Sequence, residues 1–168
     1  ISGFNFISMI RNVQISDAQQ ILDIYNYYVV NTVITFDIEA VSLKSFTEKI
    51  KIISLDYPFI VYEEHNEILG YAYGSRFRPK PAYNHTVEST IYIKQGQHGK
   101  QIGTELYKEL LQLLKQDNFH MVLGVLTLPN EASVKLHEKF GFKQVAYLKE
   151  AGFKFENWQD VGFYQLTF

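Results

Sequence analysis

Apolar and polar positions change period repeatedly along the chain. Residues 10–14 read as a short strand. Ile21, Leu22, Ile24, Tyr25 and Tyr28 then recur at helical spacing. Ser16 is the expected N-cap of that helix, and Asp17 puts negative charge in its first turn. Ser42 predicts a second cap, followed by Phe46, Ile50 and Ile53 on one stripe. Residues 57–62 and 68–75 read as strands around the polar turn 63–67. Residues 86–93 alternate, so Glu88, Thr90 and Tyr92 share one face while Val87, Ser89, Ile91 and Ile93 share the other. A helix is expected over 101–116, burying Ile102, Leu106, Leu110 and Leu113. Residues 121–126 form an apolar strand. Asn130 caps a further helix, with Ala132, Leu136 and Phe140 on its inner side and Gly141 as its C-cap. Two last strands surround Val145 and Phe163. The order β-α-α-β-β-β-α-β-α-β-β predicts one mixed α/β domain.

Composition narrows the picture. The chain has 168 residues, enough for a substantial core in one domain. Sixteen basic residues against eighteen acidic give a net charge of −2, so no nucleic-acid partner is expected. No apolar run is long enough for a transmembrane helix, so no membrane association is expected. Residues 1–8 lack the charge and length of a signal peptide and read as a leader ahead of a domain over 9–168, which by default is cytoplasmic. Cysteine is absent. That removes disulfides, Cys-ligated metals and a thiol nucleophile, and no metal site is expected. Aromatic residues reach 15 %, including twelve Tyr, which suits a pocket that is half apolar and half hydrogen-bonding, although compositional bias explains part of the count.

The segment from Ile91 through Ile93, His98, Gly99, Lys100, Gln101, Ile102 and Gly103 to Thr104 reads strand, glycine-containing loop, helix. A helix N-terminus leaves backbone N–H groups unpaired and favours an anion, so this turn can hold a pyrophosphate. The glycine spacing fits neither a Walker loop nor a dinucleotide fingerprint. Downstream, Asn130, Ser133 and His137 fall at helical spacings three and four and can face one ligand.

These residues resemble the GNAT superfamily of N-acetyltransferases. Its pyrophosphate loop reads Arg/Gln-x-x-Gly-x-Gly/Ala, matched here by His98 to Gly103, with His98 in place of Arg or Gln and Gln101 in place of the middle Gly. Its cofactor-contacting helix, Asn-x-x-Ala/Ser-x-x-x-Tyr-x-x-x-Gly-Phe, is matched from Asn130 to Phe142 with His137 at the Tyr position. That His resembles the phosphinothricin acetyltransferase group. So do Thr86-Val87-Glu88, Asn31 to Phe36, and Ala151 to Lys154 followed by Trp158 to Phe163. The resemblance runs over nearly the whole chain. It implies a central, mostly antiparallel mixed sheet of about seven strands flanked by about four helices, an acetyl-CoA cofactor and a homodimer. It also implies a gap between the strand ending at Ile93 and the 121–126 strand, into which the cofactor enters.

The resemblance implies cofactor contacts from Tyr92, Ile93, His98, Gly99, Lys100, Gln101, Ile102, Gly103, Thr104, Asn130 and Ser133. Glu88 and His137 are expected to handle protons. A half-apolar setting raises a carboxylate's pKa, and His titrates near neutrality. Read without the family, each is as readily a solvent-facing side chain. Phe36, Thr90 and Val125 are expected on the acceptor side. Arg78, Lys80 and Tyr83 fall at the family's acid-binding segment, where positive side chains suit a carboxylate plus a phosphinate, sulfone or sulfoximine oxygen. The same residues also read as a solvated basic loop. The expected reaction is direct attack of the amine of a small amino-acid-like substrate, of the phosphinothricin, methionine sulfone or methionine sulfoximine type, in a ternary complex. Acetylation of other amines such as peptide N-termini, and a non-catalytic acyl-CoA-binding module, are the alternatives.

Overall fold

The structure, a computed structural model, describes residues 9–168; the expected leader, 1–8, lies outside the described residues. Seven strands and four α-helices follow the predicted order: β1 (Met9–Asn12), α1 (Ala18–Asn31), α2 (Leu43–Asp56), β2 (Phe59–Glu64), β3 (Glu67–Arg76), β4 (Thr86–Ile93), α3 (Ile102–Gln116), β5 (Met121–Leu128), α4 (Glu131–Lys139), β6 (Lys143–Lys154) and β7 (Asn157–Thr167). The strands form one sheet in the order β1-β2-β3-β4-β5-β7-β6. Every pairing is antiparallel except β4 with β5.

Both sheet faces are covered. The run Phe59-Ile60-Val61-Tyr62 is buried throughout because alternate residues enter opposite cores. Ile60 and Tyr62 join Leu106, Tyr107, Leu110 and Leu114 of α3 on one side. Phe59 and Val61 join Ile21, Tyr25, Tyr28 and Val29 of α1 and Phe46 and Ile50 of α2 on the other.

Three local readings are corrected. Ser16 does not cap α1, because a short 3-10 turn over Ile15–Asp17 comes first and Asp17 takes the cap position. The Asp17 carboxylate accepts from Gln14 N (2.7 Å) and from Arg11 (2.8 and 2.9 Å), tying β1 to the helix. On α3, Leu114 rather than Leu113 is fully buried, with Tyr107 and Leu111 widening the apolar face. On α4, Ala132 is exposed, and the one buried residue is His137. Ser42 and Asn130 do cap their helices, accepting from Ser45 N and Ser133 N, each at 3.2 Å. Gly141 ends α4 at φ 88°, in the left-handed region that favours glycine.

The feature that builds the site is where β4 and β5 part. Their pairing runs from Thr86–Met121 to Ser89–Gly124 and stops there. β4 continues to Ile93, while β5 continues to Leu128 paired only with β7. Just past β4, Lys94 N donates to Leu69 O of β3 (2.8 Å). Main-chain groups alternate sides along a strand, so those of Ile91 and Ile93 point away from β3 into the gap.

Candidate active site

One arm of the gap is a cleft of about 300 Å³ between the end of β4, the 94–101 loop, and the N-termini of α3 and α4. The first i→i−4 bond of α3 is Glu105 N to Gln101 O (3.0 Å). The N–H groups of Ile102, Gly103 and Thr104 therefore have no partner within the helix, and all three residues line the cleft. Gln101 is the N-cap at φ 67° and ψ 2°, left-handed where the family pattern has Gly. That conformation costs a non-glycine residue about 1–2 kcal/mol. Gln101→Gly is expected to leave stability within about 1 kcal/mol, since released strain offsets a more flexible unfolded chain. It should tighten acetyl-CoA severalfold in calorimetry. Weaker binding would show that the Gln side chain itself contributes.

His98 lines the cleft, but its Nε2 lies 3.0 Å from Tyr28 Oη. Tyr28 donates to Ile93 O (2.5 Å), so His98 Nε2–H donates to the phenol oxygen. His98 thus braces the loop against α1. Lys100 does not line the cleft; its Nζ donates to Gln97 Oε1 (2.9 Å). Tyr92, Ile93, Gly99, Gln101, Asn130 and Ser133 all line it. Sequence reasoning missed Tyr28, Gln97 and Leu136, and had Ile34 only within the 31–36 segment that resembles the group. Tyr28 carried only the signal of a core position on α1.

The other arm is a cavity of about 230 Å³ that shares Ile34, Ile91, Tyr92, Asn130 and Ser133 with the cleft, so the two adjoin. Phe36, Glu88, Thr90, Val125 and His137 line it, as do Thr35 and Thr127. Glu88 is its one carboxylate, and no Lys or Arg lines it among the described residues. Burial raises the Glu88 carboxyl above its ordinary pKa.

His137 is 2 % exposed and edges against Tyr107 (centroids 5.0 Å apart) and Phe142 (5.1 Å). Its Nδ1 lies 2.7 Å from Ser133 O, a group that can only accept, so Nδ1 carries the proton. Burial lowers the ring's pKa, keeping it neutral at pH 7 and leaving Nε2 a bare acceptor. Gly124 makes room for it, since a Cβ there would stand 2.4 Å from Nε2. The imidazole therefore lies under the last rung that β4 and β5 share.

Arg78, Lys80 and Tyr83 are not brought into either cavity. They are exposed on the β3–β4 connection, where the Arg78 guanidinium lies 5.1 Å over Phe77 and Tyr83 edges the same ring at 5.4 Å.

A split parallel strand pair joins an anion-ready helix start to a cavity holding a carboxylate and an imidazole, an arrangement suited to acyl transfer from a phosphate-bearing donor. Residues 10–162 match the acetyltransferase (GNAT) domain family, and the chain belongs to it. The chain is 38 % identical over 153 residues to phosphinothricin N-acetyltransferase of Streptomyces coelicolor, covering 89 % of this chain and 90 % of that one. It is 31 % identical over 163 residues to the L-methionine sulfoximine/L-methionine sulfone acetyltransferase of Pseudomonas aeruginosa, covering 94 % and 93 %. The crystal structure of a GNAT superfamily phosphinothricin acetyltransferase from Sinorhizobium meliloti in complex with acetyl-CoA superposes with a TM-score of 0.92 at 31 % identity, over 95 % of this chain and 88 % of that one. The chain is an acyltransferase, so the non-catalytic alternative falls. Acetyl-CoA is the donor its family uses, and the unpaired N–H groups beside an open strand gap fit a pyrophosphate followed by a slender arm.

Proposed function

We propose that this acyltransferase acetylates the α-amino group of a small amino-acid-like acceptor of the phosphinothricin, methionine sulfone or methionine sulfoximine type, by direct attack in a ternary complex. The observation carrying this reading is that the two arms adjoin across shared residues, with Glu88 and His137 both lining the acceptor cavity. The names of the relatives support the acceptor class.

Acetyl-CoA would supply the acetyl group as a thioester: the amine nitrogen bonds to the acyl carbon, the C–S bond breaks, and coenzyme A leaves as a thiolate that takes one of the two protons the ammonium gives up. Ile102, Gly103 and Thr104 would offer backbone N–H groups to its pyrophosphate, and Asn130 and Ser133, which line the same cleft, would hold its arm. Ile91 and Ile93 present N–H groups in the gap where carbonyl-oxygen charge develops. An amine is mostly protonated at pH 7 and must lose a proton to attack. Glu88, with its raised pKa, takes that proton, directly or through water. His137 Nε2 is a second acceptor. With no cysteine in the chain, a thiol-borne acyl-enzyme has no residue to form on.

A coupled thiol-release assay over small amino acids, methionine sulfone and short peptides tests the reading. Release with the sulfone and ordered or random ternary kinetics is expected. Ping-pong kinetics with a stable acetyl-enzyme would overturn it. A second reading, acetylation of peptide N-termini, is favoured by one observation: among the described residues no Lys or Arg lines the acceptor cavity, and Arg78 and Lys80 stand outside it. Preference for peptides over the sulfone would select that reading.

The homodimer belongs to the same proposal. Val145, Tyr147, Leu148, Phe153 and Trp158 are exposed along the β6–β7 hairpin, an apolar surface that a second copy would cover. No helix among the described residues is long and apolar enough to cross a membrane. A cytoplasmic location is part of the same reading.

A further inference from the structure

We infer that Lys154 is a positioning residue that holds the Thr35–Phe36 wall of the acceptor cavity against the β6–β7 hairpin, and thereby sets acceptor affinity. The inference rests on reading that cavity as the acceptor site.

Lys154 is the last residue of β6 and only 3 % exposed. Its Nζ donates to Thr35 O (2.8 Å), joining positions 119 apart in sequence. Gly152, two residues earlier and on the same strand face, packs against Phe36, since a Cβ there would stand 2.3 Å from the ring. Two same-face positions of β6 thus grip two successive residues of the wall. Thr35 and Phe36 both line the cavity. Tyr25 Oη fixes the segment from the other side, 2.8 Å from Thr35 Oγ1 and donating to Asp37 Oδ2 at 2.5 Å.

Lys is almost never this buried unless paired. Burial works against the Lys154 charge, and Asp37 works for it. A Met or Leu would fill the space without desolvating an ammonium. What the ammonium adds is a directional bond to one carbonyl of the wall. Neither Lys154 nor Gly152 lines the acceptor cavity or the cofactor cleft, so their influence passes through Thr35 and Phe36.

Lys154→Met is the test, read by steady-state kinetics and by hydrogen exchange on the full chain. Loss of a charge-assisted bond should raise the acceptor KM about tenfold. The acetyl-CoA KM should stay within about twofold, because the gripped residues Thr35 and Phe36 line the cavity and not the cleft. Exchange over 33–38 should quicken about tenfold, while exchange over 99–105 stays unchanged. Gly152→Ala, which drives Phe36 outward, should reproduce the kinetic split. Equal rises in both KM values would mean a general loss of structure and would overturn the inference, as would an unmoved acceptor KM. If the unaltered enzyme acetylates no amine offered, the acceptor reading falls by itself. Exchange over 33–38 then decides the clamp: no change in Lys154→Met overturns it.

Discussion

Glu88→Gln is expected to lower turnover by about two to three orders of magnitude, the usual range for removing a general base. Acetyl-CoA affinity should stay within about twofold, because Glu88 lines the acceptor cavity and not the cofactor cleft. The residue is half-buried on β4, and its carboxyl pKa is raised by burial. The base form therefore appears at higher pH than for a free carboxylate. The wild-type rate should rise with pH through that raised pKa, and Glu88→Gln should lose this acid limb. Stability runs the other way. A carboxyl whose folded pKa is raised favours the fold fully only below its unfolded pKa, and that contribution is lost as pH rises through the folded value. At neutral pH the Gln variant should thus be at least as stable as wild type, with the advantage fading in acid. Thermal melts at two pH values beside initial rates check both halves. A variant that kept wild-type turnover would remove Glu88 from the mechanism.

His137→Phe is the second large expected effect. Phe keeps most of the ring's packing against Tyr107 and Phe142 but deletes both nitrogens. Ser133 O loses its side-chain donor, a loss of about 1 kcal/mol. Turnover should fall about a hundredfold through loss of Nε2, again with little change in acetyl-CoA affinity. The wild-type imidazole has a lowered pKa. Its contribution to stability is therefore present above the ordinary His pKa and lost as pH falls through the depressed one. The Phe variant should not show that part of the acid destabilisation. Circular-dichroism melts across this window, together with steady-state rates, separate the chemical loss from the packing loss. If turnover falls only in step with the folded fraction, His137 is a core residue and no more.

Much of the architecture was legible because burial imposes a period. The stripe Ile21, Leu22, Ile24, Tyr25 and Tyr28 is buried in α1 as spaced, and the alternation of 86–93 puts Glu88, Thr90 and Tyr92 on one face of β4. Caps at Ser42 and Asn130 were readable because a side-chain oxygen at that position answers a local shortage of acceptors. Where local rules competed, the reading slipped. Ser16 is an eligible cap, yet the carboxylate of Asp17 has Gln14 N and the Arg11 guanidinium within reach, and the helix starts after it. His137 sits on the same side of α4 as Asn130 and Ser133, but nothing local says that the ring is buried. That follows from Gly124 having no side chain on the neighbouring strand.

The sequence by itself determined the family, the element order, the capped helix starts and the residue types able to move a proton. Each depends on spacing within a few turns or on a motif written contiguously. Only the tertiary structure decided how these parts meet. The resemblance implied a gap between β4 and β5, but its start after Ser89–Gly124 depends on pairings between strands more than 30 residues apart, for which no local pattern exists. The same holds for the Lys154 grip on Thr35 and for the place of Arg78 and Lys80 outside the cavity. Long-range contacts are chosen by the packing of whole elements, and a side chain's chemistry is set by what that packing places beside it.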